Sequence, residues 1–387
     1  MHAQYQPMKN VAVLGAGNVG QTMAADLALK NYRVRLYELP EFAERSLGNV
    51  LETHKIELTG SQLNFKWFRN EGVAEIDVVT TNMAEAIEGV ELILISVPAS
   101  GHQVFFEKMI PHLEDGQIVS LFPDNYGSLL LRRMLKDETK ILVGGWTSAP
   151  YGTRMLAPGK IDCMVRAYRL RGDTLPSKDW TEFLRAHEDL PFFIPTKLEQ
   201  ADTVIAVGLE NPNPIVHVPG SILNVGAMEV SQTEDVLGVG KGEWSLYKHG
   251  MSPAVVRVIE AYYNELCDIA NSIGIKLLKY SKEQFYHKHT IMHESFLAPF
   301  YEASPIMGIK GPLSIEDRYF TEDIPVGTVM AWRLAKKFGV KTPLIESLIH
   351  LGSVICGRDF FEKGRTLEEL GIVNLDAKDL VRYLKGS

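Results

Sequence analysis

The sequence predicts an α/β domain followed by an all-helical domain, and three observations carry that reading. From Asn10 to Glu38 an apolar strand pattern, a glycine cluster, a helical pattern and a second strand follow one another. Short apolar runs separated by turn signals then recur up to residue 200. Beyond Asp202 the apolar residues repeat at helical spacing instead. A chain of 387 residues is longer than one typical domain, so two cores are expected, residues 1–200 and 201–387.

Val11 to Leu14 is too short and too β-branched for a helix, and it ends at Gly15, Gly17 and Gly20 in the spacing G-x-G-x-x-G. Met23, Ala24, Leu27 and Ala28 then lie at helical spacing within Gln21 to Lys30. This order is that of a Rossmann dinucleotide site. Gly15 permits the tight turn, Gly17 lets the backbone approach a pyrophosphate, and Gly20 lets the helix lie against the strand. Asn18 and Val19 lie in the same turn, where the helix N-terminus presents N–H groups to phosphate. A second strand, Arg33 to Tyr37, ends in Glu38, close to the roughly 20-residue spacing at which an acid meets the adenosine ribose. A carboxylate there accepts from a 2′-hydroxyl and repels a 2′-phosphate, so NAD is favoured; Arg33 and Arg35 are the features that would suit NADP.

After Glu38 comes a polar segment with Pro40, then alternating apolar positions from Ile56 to Phe68 that predict a short excursion of strands. Val78 to Thr81 reads as a strand and Met83 to Glu88 as a short helix. Glu91 to Val97 has the continuous apolar character of a central parallel strand. Ligands of such sheets bind beyond the carboxyl ends of the strands, so Val97, Pro98 and Ala99 are expected to border the cofactor. A helix at Gln103 to Leu113 and strands at Gln117 to Leu121, Lys140 to Gly144, Ile161 to Leu170 and Phe192 to Pro195 complete the first domain. In the second, amphipathic helices are expected at Ala254 to Ile273, Val326 to Phe338 and Pro343 to Ile355, and their apolar faces allow a homodimer.

A net charge of −8 with no basic block speaks against a nucleic-acid partner. Cys163, Cys267 and Cys356 are far apart, as free thiols of an intracellular protein are. Met1 to Lys9 is polar and unlike a signal sequence, and no uncharged stretch reaches the roughly 18 residues of a membrane span, so a cytoplasmic protein is expected.

A nicotinamide cofactor supplies a hydride, which leaves the protein to orient a substrate, move a proton and hold charge. Two segments offer such groups. In Asn211 to Asn224, His217 lies between Pro214 and Pro219 after a turn-forming Asn-Pro-Asn-Pro; read alone, it fits a core histidine as well as a catalytic one. In Gly311 to Gly327, Arg318 stands among Asp317, Glu322 and Asp323, a grouping that also suits a solvated loop or a helix cap. A buried Asp323 near His217 would orient the imidazole. His287, His289 and His293 include a pair four apart that would share a helix face, but they lack the metalloprotease pattern and no metal is expected.

Asn213-Pro214-x-x-His217 with Ile222-Leu223-Asn224, and Arg318-Tyr319-x-x-Glu322-Asp323-Ile324-Pro325-x-Gly327, resemble the octopine/nopaline (opine) dehydrogenase family. The resemblance extends to the glycine motif, Ser96-Val97-Pro98-Ala99, Ala149-Pro150-Tyr151, and a tail from Gly339-Val340-Lys341-Thr342-Pro343 to Gly364-Arg365-Thr366-Leu367. It implies NAD(P)H-dependent reductive condensation of an α-keto acid with the amine of an amino acid, on a Rossmann domain followed by a helical domain of the 6-phosphogluconate-dehydrogenase-like type. It also implies His217 as the proton-transferring residue, Asp323 as its partner and Arg318 as a carboxylate clamp. Asn224 and Tyr151 are expected as further substrate contacts, and Trp146, Tyr151, Trp244 and Tyr247 suit an amino-acid pocket, although aromatics at such positions are more often core. The chain departs from the family at Val218, where proline is usual, and in the loop Phe122 to Gly127, which is expected to be richer in glycine. Two competing readings are a reductase of 2-keto or 3-hydroxy acids on the same scaffold, and an NAD-binding sensor without turnover.

Overall fold

A computed structural model describes residues 10–60, 70–135, 139–167, 169–194, 196–235, 238–280 and 309–386 of the chain. The chain divides into two compact units, Met1–Gln200 and Ala201–Ser387.

The first unit contains β1 (Asn10–Leu14), β2 (Arg33–Tyr37), β3 (Lys55–Thr59), β4 (Gly72–Glu75), β5 (Val78–Thr80), β6 (Leu92–Ile95), β7 (Ile118–Leu121), β8 (Leu142–Trp146), β9 (Tyr151–Ala157), β10 (Lys160–Arg166), β11 (Arg169–Thr174) and β12 (Lys197–Gln200). Eight form one sheet in the order β12-β11-β8-β7-β6-β1-β2-β5. Pairing is parallel from β5 through β8, and β11 joins antiparallel. The chain leaves β1 toward β2 on one side and returns to β6 on the other. That reversal opens a crevice at the carboxyl ends of β1 and β6, where such sheets bind nucleotides. Every residue from Val11 to Leu14 and from Leu92 to Ile95 is buried, which explains their continuous apolar runs.

A second sheet, β4-β3-β10-β9, packs on the helix Asn18–Ala28. The apolar run Ile161 to Leu170, expected as one strand, is two strands in different sheets, β10 and β11. Residues on both sides of the break are buried, so the run carries no mark of the change of sheet. Phe192 to Pro195, also expected as a strand, holds a 3-10 turn at Pro191–Phe193, and the strand begins at Lys197. Proline opens that turn, and Phe193 packs its ring 4.8 Å from that of Trp146. Of the expected strand excursion, residues 61–69 lie outside the described residues.

The second unit is helical. Its longest helix among the described residues, Pro253–Ile273, starts at Ser252, whose side chain accepts from the Val255 N–H, and ends at Gly274 with φ +86°. Its buried stripe of Val256, Ile259, Tyr263, Leu266 and Ile273 faces the helices Pro212–Leu223, Val329–Phe338, Pro343–Cys356 and Ala377–Lys385. Where the sequence reads as turns at Asn211-Pro-Asn-Pro, the helix Pro212–Leu223 begins instead. Asn211 caps it by accepting from the Asn213 N–H, and both early prolines occupy the first turn, where a missing N–H costs nothing. No helix among the described residues is long and apolar enough to cross a membrane. His287, His289 and His293 lie outside the described residues.

Candidate active site

The glycine turn of the first unit is shaped by contacts that only glycine allows. Gly15 has φ +97°, and a Cβ there would stand 2.4 Å from Val97 Cγ1. A Cβ on Gly20 would stand 1.7 Å from the Gly15 carbonyl oxygen. At Gly17 the reverse holds, with no atom within 4 Å of the added carbon. Gly15 and Gly20 therefore close the turn onto the strands, while Gly17 keeps open the space in front of an eleven-residue helix that has no side-chain cap. This is the arrangement a pyrophosphate needs.

Side chains hold the turn in place. Gln21 donates to the Ala16 and Ser46 carbonyls at 2.8 and 2.7 Å and accepts from the Gly159 N–H at 3.0 Å. Asn18 Oδ1 accepts from the Met155 N–H at 3.0 Å. Val19 is half-buried in the first turn of the helix. Glu38 is buried at the end of β2, and its two oxygens accept from the N–H groups of Ala16 and Leu39, each at 2.9 Å. Burial pushes the Glu38 carboxyl up, against the pull of those two N–H groups. Glu38 thus anchors the glycine turn as well as standing where a ribose is expected. Beyond β6, Val97 and Ala99 are buried and Pro98 is exposed. Arg35 donates to the carbonyls of Glu85 and Glu88 at 2.7 and 2.9 Å, so its charge is spent on a helix end. These features fit a dinucleotide with a free 2′-hydroxyl.

Tyr151, expected as a substrate contact, has its hydroxyl engaged in a buried network. It is buried, and its hydroxyl donates to Asp26 Oδ2 at 2.5 Å. Arg166 pairs with both oxygens of the same carboxylate at 2.9 and 3.0 Å, and Asn70 donates to it at 2.5 Å. Two charges out of water hold each other and recruit every nearby donor, so Tyr151 belongs to a structural network.

In the second unit the structure brings His217 and Asp323 together across 106 positions of sequence. His217 Nδ1 lies 2.7 Å from Asp323 Oδ2, with exposures of 2% and 3%. The helix Pro212–Leu223 carries the histidine and a π-helical turn, Asp323–Thr328, carries the acid. Gly327 makes the approach possible, because a Cβ there would stand 2.7 Å from Pro214 Cβ. Burial pushes the Asp323 carboxyl up to about 7; the Arg318 charge opposes this and the Asp317 charge adds to it. Arg318 opens the short helix Arg318–Thr321, half-exposed, with Nη1 3.9 Å from Glu322 Oε2. Asn224 closes the end of the histidine's helix, donating to the carbonyls of Gly220 and Gly250 at 2.8 and 3.1 Å.

Two further side chains join this pair. Tyr247 Oη lies 2.7 Å from His217 Nε2, and the Tyr319 ring stacks on the imidazole at 3.6 Å and 4°. The sequence reading left Tyr247 among pocket or core aromatics and gave Tyr319 no role. For Tyr319 a signal was present, since residues four apart lie on one face of a helical turn and Asp323 is four positions on.

A Rossmann cradle and a buried histidine–aspartate pair on a helical unit define a nicotinamide-dependent dehydrogenase of the two-domain type. Residues 10–122 match the NAD-dependent glycerol-3-phosphate dehydrogenase N-terminus, and residues 200–356 match the alpha-helical domain of NAD/NADP octopine/nopaline dehydrogenase. The opine dehydrogenase of Arthrobacter sp. (strain 1C) is 27% identical over 378 residues, covering 95% of this chain and 97% of that protein. Vitopine synthase of Allorhizobium ampelinum is 24% identical over 387 residues, covering 98% of this chain and 100% of that one. The chain is thus similar along nearly its whole length to opine dehydrogenases, and its helical unit matches the octopine/nopaline dehydrogenase family. Its fold is that of octopine dehydrogenase solved with NADH and pyruvate, with a TM-score of 0.70 at 20% identity over 97% of this chain and 98% of the other. Yersinopine dehydrogenase with NADP+ bound gives 0.69 at 15% identity, covering 98% of each.

Proposed function

We propose that this protein condenses an α-keto acid with the amine of an amino acid and reduces the resulting imine to a secondary amine dicarboxylate, and that the same groups serve the reverse oxidation. The observation that carries the reading is the His217–Asp323 contact at 2.7 Å, on a helical unit of the matching family. When bound, the nicotinamide supplies the hydride. Asp323 holds the Nδ1–H of His217 and so directs Nε2 toward proton transfer. Arg318 presents parallel donors suited to a substrate carboxylate. Glu38 disfavours a 2′-phosphate, which makes NADH the preferred reductant over NADPH. Three free cysteines suit the cytoplasm as the compartment, and the helical unit leaves room for a homodimer.

The test is NADH oxidation with pyruvate held constant across a panel of amino acids, each repeated without the amino acid. Oxidation that requires both substrates is the expected result. Oxidation with the keto acid alone would replace this reading with a simple keto-acid reductase. Measurable NADH binding without oxidation of any keto acid and amine pair would replace it with a sensor.

A further inference from the structure

His217 is buried, and both of its ring nitrogens are engaged: Nδ1 by Asp323 and Nε2 by the Tyr247 hydroxyl, each at 2.7 Å. A neutral imidazole carries one N–H. With Asp323 ionised, that hydrogen is on Nδ1, and Nε2 accepts from Tyr247. The stack of Tyr319, nearly parallel at 4°, keeps the imidazole from turning away from this line, and its hydroxyl lies 3.4 Å from that of Tyr247.

The backbone around Tyr247 is equally fixed. It lies on a π-helical turn, Leu246–Gly250, a distortion that recurs at functional sites. Ser245 Oγ accepts from the Lys248 N–H at 3.3 Å, the Leu246 N–H donates to the Gly311 carbonyl at 3.0 Å, and the Gly311 N–H donates to Trp244 at 2.8 Å. A Cβ on Gly250 would stand 2.9 Å from Leu246 Cδ1, so the turn is packed to its limit.

We infer that Tyr247 is a proton-relay residue standing between His217 and the substrate. This rests on the condensation proposed above. In the dehydrating step the Tyr247 O–H bond breaks as a new O–H bond forms on the substrate hydroxyl; its C–O bond breaks, the amine nitrogen's lone pair makes the C=N bond, and the oxygen departs as water. The phenolic oxygen simultaneously takes the proton from Nε2 of the His217 imidazolium. The other hydrogen stays on His217 Nδ1, donated to the Asp323 carboxylate, so the imidazolium becomes a neutral imidazole and no electrons change hands. Tyr247 is never required to ionise, which suits a phenol whose ordinary pKa is about 10.

The test uses Tyr247→Phe, which keeps the ring and removes the hydroxyl. In the cofactor-free protein with 15N-labelled histidine, above the pH of about 7 at which Asp323 titrates, the wild-type His217 Nε2 resonance is expected at the position of a hydrogen-bonded acceptor. In the variant it should move to that of an unbonded nitrogen. In turnover, kcat should fall roughly 10²-fold with both Michaelis constants unchanged. The rate plotted against deuterium content of the solvent should change from curved, with two protons in flight, to linear. An Nε2 resonance that does not move would overturn the inference without reference to any substrate. A loss of kcat with the curvature retained would overturn it too, leaving Tyr247 as a prop for the imidazole. Failure of the wild type to turn over any pair of substrates would count against the proposed reaction, while the nitrogen spectrum would still decide the hydrogen bond.

Discussion

Asp323 shows how one side chain's surroundings set the working range of the site. Burial pushes its carboxyl up to about 7, and the Arg318 charge holds it from rising further. In the proposed reaction run as an oxidation, His217 accepts a proton, which needs the aspartate ionised. The kcat/KM for opine oxidation should therefore fall as pH drops through about 7 and level off above it. Removing the opposing charge raises the carboxyl further, so Arg318→Met should move that limb to higher pH and raise the Michaelis constant for a carboxylate substrate. A limb that stays in place would show that Arg318 does not act on Asp323. Glu38 offers a second residue-level outcome, because its carboxylate does two things at once. Glu38→Arg should shift the NADH to NADPH ratio of kcat/KM toward NADPH, and it should weaken both cofactors because the Ala16 N–H loses its acceptor. Unchanged NADH affinity would mean the anchor is dispensable. What was legible was placement: Glu38 at the end of the second strand followed from its distance to the glycines, and the meeting of His217 with Asp323 was expected from the resemblance. The engagement of the Tyr151 hydroxyl was not legible, because the buried network of Asp26, Asn70 and Arg166 that holds it is assembled from three distant segments.

At the level of elements, the dyad depends on how closely two helical pieces approach. Gly327 meets Pro214, and an added Cβ at 2.7 Å must push the Asp323–Thr328 turn away from the Pro212–Leu223 helix. Gly327→Ala is expected to cost about 1–3 kcal/mol of stability from overpacking. It should also lower kcat, because the 2.7 Å bond between His217 and Asp323 spans the same contact. A lower melting temperature with full kcat would separate the packing from the chemistry. In the first unit the helix Asn18–Ala28 is fastened to β9 and β10 by Asp26, Tyr151 and Arg166. Asp26→Ala leaves the arginine buried and without this carboxylate, a loss of about 3–5 kcal/mol. Calorimetry should show it as a lower melting temperature. A change much smaller than that would mean that water or relaxation compensates the charge. The helix of His217 was not legible in the sequence, because Asn-Pro-Asn-Pro has the composition of turns and only a cap at Asn211 makes it a helix start. The long helix Pro253–Ile273 was legible almost to the residue, since its apolar spacing and the glycine that ends it are both local signals.

Across the whole molecule, the chain separates two tasks. The glycine turn and Glu38 lie in Met1–Gln200, and the His217–Asp323 pair lies in Ala201–Ser387. What the sequence made plain at this scale was the change of periodicity near residue 200. The change of sheet at Ala167 stayed hidden, because it depends on pairing between distant strands and not on local pattern. The separation of tasks predicts opposite behaviour in two variants. Gly20→Ala places a carbon 1.7 Å from the Gly15 carbonyl oxygen, a backbone atom that cannot swing aside, so the turn must open and lose the phosphates. Its NADH dissociation constant should rise by about tenfold or more, a loss of roughly 1.4 kcal/mol of binding. The His217 nitrogen resonances should stay where they are in the wild type. His217→Ala should instead lower kcat by about 10²–10⁴-fold while NADH binds as before. Fluorescence titration with NADH and steady-state turnover on the same two proteins separate these outcomes. If His217→Ala weakened NADH as much as Gly20→Ala does, the histidine would be part of the cofactor site and its role in proton transfer would have to be abandoned.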